Sequence, residues 1–150
     1  MEDYIKKVRK VIGHEPMLLA HAVVILFNEQ NEILIEERAD DGYLDFPGGT
    51  VDMAEEVIVT AKRELFEETG LVADELELFN IYSGEITRYQ YTSGDINYGV
   101  DIVYICKKYH GELKPQKEEV KQLTFMKLAD IKGKLSPRNK QIIKDLYERL

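Results

Sequence analysis

Tryptophan is missing from this 150-residue chain and cysteine occurs once, at Cys106. Neither a disulfide framework nor a set of thiolate metal ligands can therefore be built within it. Proline is sparse: the four at positions 16, 47, 115 and 137 are scattered rather than gathered into a linker, and no segment is repetitive. One domain over residues 1–150 is the expectation. The longest apolar run, residues 17–27, has eleven residues and includes His21, short of the roughly 20 that a membrane-spanning helix needs. The opening MEDYIKKVRK is charged throughout, unlike a secretory leader. These features predict a cytoplasmic protein with no membrane partner. Positive charge is in deficit: 20 Lys and Arg stand against 28 Asp and Glu, for a net charge of −8 and a pI near 5.0. Duplex nucleic acid is thereby excluded as a partner, because neutralising phosphates supplies most of that affinity. If such a chain handles phosphates, metal ions must help.

Apolar residues are plentiful. Leu, Ile, Val and Phe make up 30% of the chain, above the roughly 20% below which charged chains stay disordered. A chain of this length buries about 68–70% of its unfolded surface, enough for a core without disulfides or a structural metal. Residues 2–11 carry Tyr4, Ile5, Val8 and Val11 at helical spacing. The β-rich run 18–27, the polar turn Asn28–Asn31 and the run ending near Arg38 predict a hairpin. Residues 54–69 contain Ala, Glu, Lys, Arg and Leu without Gly or Pro, and Gly70 follows, which predicts a helix with a glycine C-cap. Strands are expected at 75–83, 86–92, 96–107 and 122–127, with Ser93-Gly94-Asp95 as a hairpin tip. Ser136-Pro137 reads as an N-cap and first-turn proline, followed by Ile142, Ile143, Leu146 and Leu150 on one helix face. The core is expected to be mixed β.

On the helix over 54–69, Glu64, Glu67 and Glu68 stand at i, i+3 and i+4 and share one face, where like charges repel. Arg63, four residues before Glu67, is the basic residue in pairing position, and it leaves Glu64 uncompensated by helical spacing. Hard cations such as Mg²⁺ or Mn²⁺ take carboxylate oxygens and would neutralise such a face beside a substrate phosphate. A lone Glu-x-x-Glu-Glu also reads as an ordinary solvated face. The preceding Phe46-Pro47-Gly48-Gly49 adds two permissive residues where backbone can turn toward a ligand.

The full spacing is specific. Gly49, five residues, Glu55, seven residues, then Arg63-Glu64-Leu65-Phe66-Glu67-Glu68-Thr69-Gly70-Leu71 covers 23 residues and resembles the signature of the Nudix hydrolase family at every constrained position. The resemblance implies an α/β fold, an α/β/α sandwich with a mixed sheet. It implies a pyrophosphohydrolase that cleaves a nucleoside diphosphate linked to another group, using water activated by Mg²⁺ or Mn²⁺. It assigns Glu64, Glu67 and Glu68 as metal-binding carboxylates, with the Gly48 carbonyl as a further ligand and Arg63 orienting a glutamate of the helix. Glu55 would fix the loop, and Gly49 would contact substrate. The general base varies in the family: Glu64 is the candidate here, with Glu118 or Glu119 as loop candidates. The implied partner is a small-molecule nucleotide, bound by a monomer or homodimer. Asp52, Ala54 and Leu44 depart from common family patterns and bear on substrate preference, not on hydrolysis.

Arg38 stands at a strand end, where it would serve either as a phosphate contact or as a surface charge. Tyr82, Tyr89, Tyr91, Tyr98 and Tyr104 would pack across strands or stack on a base, the hairpin tyrosines being best placed. His21 reads as a hydrogen-bonded core or interface residue and Cys106 as an inert buried thiol. The segment Lys108–Lys121, with Gly111, Pro115 and a polar run, reads as a loop closing over the substrate. Against the enzyme stands a nucleotide sensor on the same fold, which binds without cleaving.

Overall fold

In the computed structural model, residues 2–115, 118 and 120–149 are described. Glu119 and Leu150 lie outside them, so their expected roles have no structural counterpart here. Helix α1 (Glu2–Ile12) precedes strand β1 (Met17–Leu26). Next come β2 (Ile33–Arg38), β3 (Leu44–Asp45), β4 (Gly48–Thr50) and helix α2 (Val57–Thr69). Strand β5 (Leu71–Tyr82) is followed by a 3₁₀ turn (Glu85–Thr87), β6 (Tyr89–Gln90), β7 (Ile96–Gly111), β8 (Val120–Met126) and, after a second 3₁₀ turn, α3 (Pro137–Arg149).

The strands form two sheets. The larger runs β4-β1-β7-β5 with β6 added to β7, and it is mixed because β1 and β7 are parallel while β4 and β5 are antiparallel to their neighbours. The smaller is antiparallel, β3-β2-β8. Alternation along β1 sends its side chains to two cores. Val23 and Ile25 join Ile33, Ile35, Val103, Ile142 and Leu146 between the sheets and α3. Ala22, Val24 and Leu26 pack with Ala61 and Leu65 of α2. The larger sheet thus has α2 on one face and α3 on the other, and the smaller sheet feeds both cores, Leu34 on the α2 side and Ile33 and Ile35 on the α3 side.

Several expectations change. The turn after β1 is present, with the Asn28 amide bonded to the Glu32 carbonyl at 2.9 Å. The two runs meet only through a Phe27–Ile33 bridge before diverging into different sheets, so they are not a hairpin. Residues 22–26 of β1 and 33–36 of β2 are buried on both faces, which a two-stranded ribbon cannot provide. Helix α2 begins at Val57 rather than 54, because Ala54 adopts a left-handed conformation (φ 61°) that a helix cannot contain. Its end is as expected: Gly70 sits at φ 79° and donates to the Phe66 carbonyl. The run 86–92 divides into a 3₁₀ turn and the two-residue β6. Strand β7 continues to Gly111, paired with Leu71, and β8 starts at Val120, so both ends of the expected closing loop are strand. The amide of Lys114 then bonds the Thr69 carbonyl at 2.7 Å, tying that segment to the end of α2. The Asn139 amide donates to Ser136 Oγ, which is the anticipated N-cap of α3. Among the described residues no helix is long and apolar enough to cross a membrane.

Candidate active site

Strand β4 is an edge strand of the larger sheet, and the candidate residues gather on its two sides. Beneath it lies α2. The Gly48 amide donates to Glu68 Oε1 at 2.8 Å, and a Cβ on Gly49 would stand 2.6 Å from both carboxylate oxygens of Glu64. A Cβ on Gly48 would drive into the Ala22 carbonyl oxygen and come to 3.0 Å from Val23 Cα. Neither glycine has a positive φ. The pair is required for close approach, not for a sharp turn as the sequence suggested, and it lies within a strand rather than directly ahead of the helix.

Arg63 organises the exposed side of this cluster. Its Nε donates to Glu55 Oε2 at 2.9 Å, Nη2 to Glu55 Oε1 at 3.0 Å and to the Thr50 carbonyl at 3.3 Å, and Nη1 to Glu64 Oε1 at 2.8 Å. The same Nη1 reaches Glu67 at 3.3 Å, and Asp52 stands 3.5 Å from Nη2. Glu64 is therefore partnered, contrary to the expectation from helical spacing, because the guanidinium curls back to its immediate neighbour. Four carboxylates share this single cation. The hydrogen bonds from Arg63, with those from Thr60 and the Asp52 amide, hold Glu55 down at about 2 against the cost of burial.

Glu68 is in a different state. Only 6% exposed, it is pushed well above the usual carboxylate range by burial, then by the charge and hydrogen bond of the equally buried Glu36 and by Glu64, with the Gly48 amide opposing. Among the described residues, no three acidic or imidazole groups are already arranged to hold a metal ion. The donor chemistry nevertheless fits a hard divalent cation: every donor is oxygen, negative charge is in excess, and the crowding of Glu36, Glu64 and Glu68 would be relieved by a positive ion.

On the other side of β4, between the sheets and α3, is a cavity of about 150 Å³. Its buried part is polar. His21 Nδ1 meets Asp101 Oδ1 at 2.7 Å, Arg138 Nη1 donates to Asp101 Oδ2 at 3.0 Å, and Arg138 Nη2 donates to Asp45 Oδ1 at 2.9 Å. His21 is thus hydrogen-bonded, as expected. Gly99 makes room for the pair, since a Cβ there would stand 2.9 Å from His21 Nδ1. The His21 bond and Arg138 keep Asp101 below the usual aspartate range although burial opposes this. Arg38 lies in the same cavity, 5.4 Å from the ring centre of Tyr89 and 5.2 Å from that of Tyr91, and it pairs with Asp40 at 3.1 Å. Tyr43 and Tyr91 both pack edge-on against Tyr89, whose hydroxyl donates to Asp41.

The expected residues are accordingly brought together around one edge strand: Glu64, Glu67, Glu68 and Arg63 on the helix side, Arg38 in the cavity, Gly48 and Gly49 between. Glu118 is exposed. Tyr82 donates instead to Asp145, at 2.6 Å, and Cys106 is buried, its thiol pushed up to about 11. Sequence reasoning missed Asp41, Tyr43, Asp45, Asn97, Asp101, Arg138 and Asn139. Only the Asp40-Asp41-Gly42-Tyr43 turn offered a local signal, directly after Arg38.

A two-sheet sandwich with a glutamate-rich helix under a glycine edge strand defines the class as a Nudix-type α/β fold. The chain belongs to the Nudix hydrolase family: the NUDIX domain model matches residues 17–146. It is 31% identical over 129 residues to an ADP-ribose pyrophosphatase of Methanocaldococcus jannaschii, covering 84% of this chain and 72% of that protein. It is 44% identical over 62 residues to the 8-oxo-dGTP diphosphatase of Escherichia coli, covering 39% of this chain and about half (48%) of that protein. The MutT Nudix hydrolase structure from Burkholderia pseudomallei superposes with a TM-score of 0.73 at 20% identity, covering 87% of this chain and 98% of that one. The Nudix domain of Shewanella oneidensis NrtR, solved with ADP ribose, superposes with a TM-score of 0.67 at 21% identity, covering 99% and 97%.

Proposed function

We propose that this protein is a divalent-cation-dependent pyrophosphohydrolase acting on a nucleoside diphosphate that carries a further group, either a nucleotide sugar of the ADP-ribose type or a nucleoside triphosphate. The observation that carries the reading is strand β4, with a cavity of about 150 Å³ on one side and the carboxylates of α2 on the other. A nucleoside part held in the cavity sends its phosphates across Gly48 and Gly49, where the lack of side chains lets them pass close to the backbone. Glu64, Glu67, Glu68 and the Gly48 carbonyl would hold Mg²⁺ or Mn²⁺. Such an ion polarises phosphoryl oxygens and lowers the pKa of an attacking water. Glu64, steered by Arg63, is the group placed to accept the proton of that water, with Glu118 and Glu119 the alternatives. Arg38 stands where a substrate phosphate leaves the cavity, and Gly49 forms the crossing.

The nucleotide-sugar reading takes support from the long overlap with the M. jannaschii enzyme, and the triphosphate reading from the E. coli match. The test is product release from ADP-ribose and 8-oxo-dGTP with Mg²⁺ and with chelator. Turnover of either that stops in chelator supports the proposal. Tight binding of ADP-ribose without turnover in any divalent ion would replace the enzyme by the sensor.

A further inference from the structure

Pleating turns His21 to the same face of β1 as Val23 and Ile25, toward α3 and the cavity that it lines. It stands in a row across three strands: Thr50 of β4 on one side and Asp101 of β7 on the other are its register partners, and both line the same cavity. One nitrogen holds the ring. Nδ1 meets Asp101 Oδ1 at 2.7 Å, while Arg138 Nη1 donates to the other carboxylate oxygen at 3.0 Å. The Asp101 side chain, only 3% exposed, is fixed from both ends. Gly99 keeps the space open, because a Cβ there would collide with Asp101 Oδ1 and stand 2.9 Å from His21 Nδ1.

That contact decides what the other nitrogen can do. Asp101 is a carboxylate paired with an arginine and acts as an acceptor, so in the neutral ring the proton sits on Nδ1 and Nε2 carries a lone pair. Among the described residues Nε2 has no hydrogen-bond partner. A lone pair repels a phosphate oxygen and takes an O–H or N–H instead. The position of His21 selects between these. It lies one strand spacing, about 5 Å, from β4, opposite Thr50, the residue that follows the Gly48-Gly49 crossing. In a nucleotide whose phosphates pass over those glycines, the sugar is the part joined to them, and its donors are hydroxyls.

We infer that His21, oriented by Asp101, offers Nε2 to the cavity and accepts a hydrogen bond there from a ribose hydroxyl of the bound nucleotide. The inference rests on the proposed placement of the nucleoside in the cavity and deepens it, since it gives the site a means of reading the sugar. One such neutral bond is worth about three- to tenfold in affinity.

The discriminating variant is His21→Asn, whose amide N–H can replace Nδ1–H at Asp101 while nothing stands in for Nε2. With ADP-ribose it should raise KM about three- to tenfold, with kcat changed less than about twofold and Tm near the wild-type value. Of two ADP-ribose analogues, deoxygenated at the 2′ or the 3′ position of the adenosine, one should bind wild type correspondingly worse, and on that analogue His21→Asn should cost nothing further. The matched comparison for a triphosphate uses 8-oxo-GTP and its 2′- and 3′-deoxy forms. If the wild type binds these nucleotides without turning them over, the hydrolase reading fails, and the same comparisons made on Kd by calorimetry still decide the role of His21. Imidazole nitrogen NMR of the wild type in mildly alkaline buffer needs no variant: Nδ1 should carry the proton, and the Nε2 resonance should move when nucleotide binds. A His21→Asn cost below about twofold on the parent nucleotides overturns the inference. So does an equal cost on every deoxy analogue, which would assign the bond to a base N–H, a ring protonated on Nε2 alone, or a wild type that binds none of the probes.

Discussion

Replacing Gly48 and Gly49 by alanine, one at a time, separates the two demands made on strand β4. At Gly48 the new methyl group would drive into the Ala22 carbonyl oxygen, with Val23 Cα at 3.0 Å. Both obstacles are backbone of the neighbouring strand, paired with β4 through Val23↔Gly48 and Ala22↔Gly49, and they cannot step aside without breaking the edge pairing. Overpacking of this kind costs about 1–3 kcal/mol, which for a chain of this size lowers Tm by about 4–8 °C at the middle of that range. At Gly49 the methyl group meets a side chain instead, 2.6 Å from each carboxylate oxygen of Glu64. Glu64 can swing away, at the expense of its 2.8 Å contact with Arg63, a loss of at most about 1 kcal/mol. The carboxylate must retreat by roughly 1 Å, and a misplacement of that size in a catalytic group can cost about 10²-fold in rate. Gly48→Ala should therefore be mainly a stability variant, and Gly49→Ala a well-folded, nearly inactive one. Differential scanning fluorimetry beside initial rates reads both quantities. Wild-type rates from Gly49→Ala would refute the placement of Glu64 beneath the strand.

Ala54→Gly should raise Tm by about 2–4 °C, because it removes roughly 1–2 kcal/mol of left-handed strain at an exposed residue with φ 61° and gives back part of that in chain entropy; a lower Tm would contradict this. Glu55 is held at about 2 against an ordinary value of 4.5, so its contribution is present above pH 4.5 and is lost as the pH falls toward 2. Urea unfolding should accordingly show wild type losing more stability between pH 5 and 3 than Glu55→Gln, and parallel losses would remove the Glu55–Arg63 pair from the account. Replacing Glu118 and Glu119 together with Gln should leave kcat within about twofold, since Glu118 is exposed and Glu64 already adjoins Gly49; a hundredfold loss would transfer the base to that segment.

What could be read from the sequence was local. The C-cap at Gly70, the N-cap at Ser136 and the glutamate spacing on α2 are written within a few residues, and they appear where expected. The start of α2 was misplaced because a non-glycine residue in a left-handed conformation leaves no compositional trace. The hairpin was misjudged because a buried run can pair in either of two sheets, and only tertiary packing chooses. The carboxylate cluster was legible in position but not in partnership: helical spacing hid the bond between the adjacent Arg63 and Glu64. Of the polar part of the cavity, His21 was legible as a hydrogen-bonded residue but its partners were not, because Asp45, Asp101 and Arg138 are joined only when β3, β7 and α3 meet.

The central claim is that the α2 carboxylates hold a divalent cation that drives hydrolysis of a phosphoanhydride, and Glu68→Gln tests it most directly. Glutamine can still accept the Gly48 amide and donate to Glu36, and it removes a charge from a crowded buried group. Melting in chelator should therefore be unchanged or higher. Initial rates with ADP-ribose and 8-oxo-dGTP at saturating Mg²⁺ should nevertheless fall by about 10²–10³, the usual worth of one electrostatic group at such a centre. A variant that melts lower yet hydrolyses at the wild-type rate would assign Glu68 to the scaffold and contradict the account.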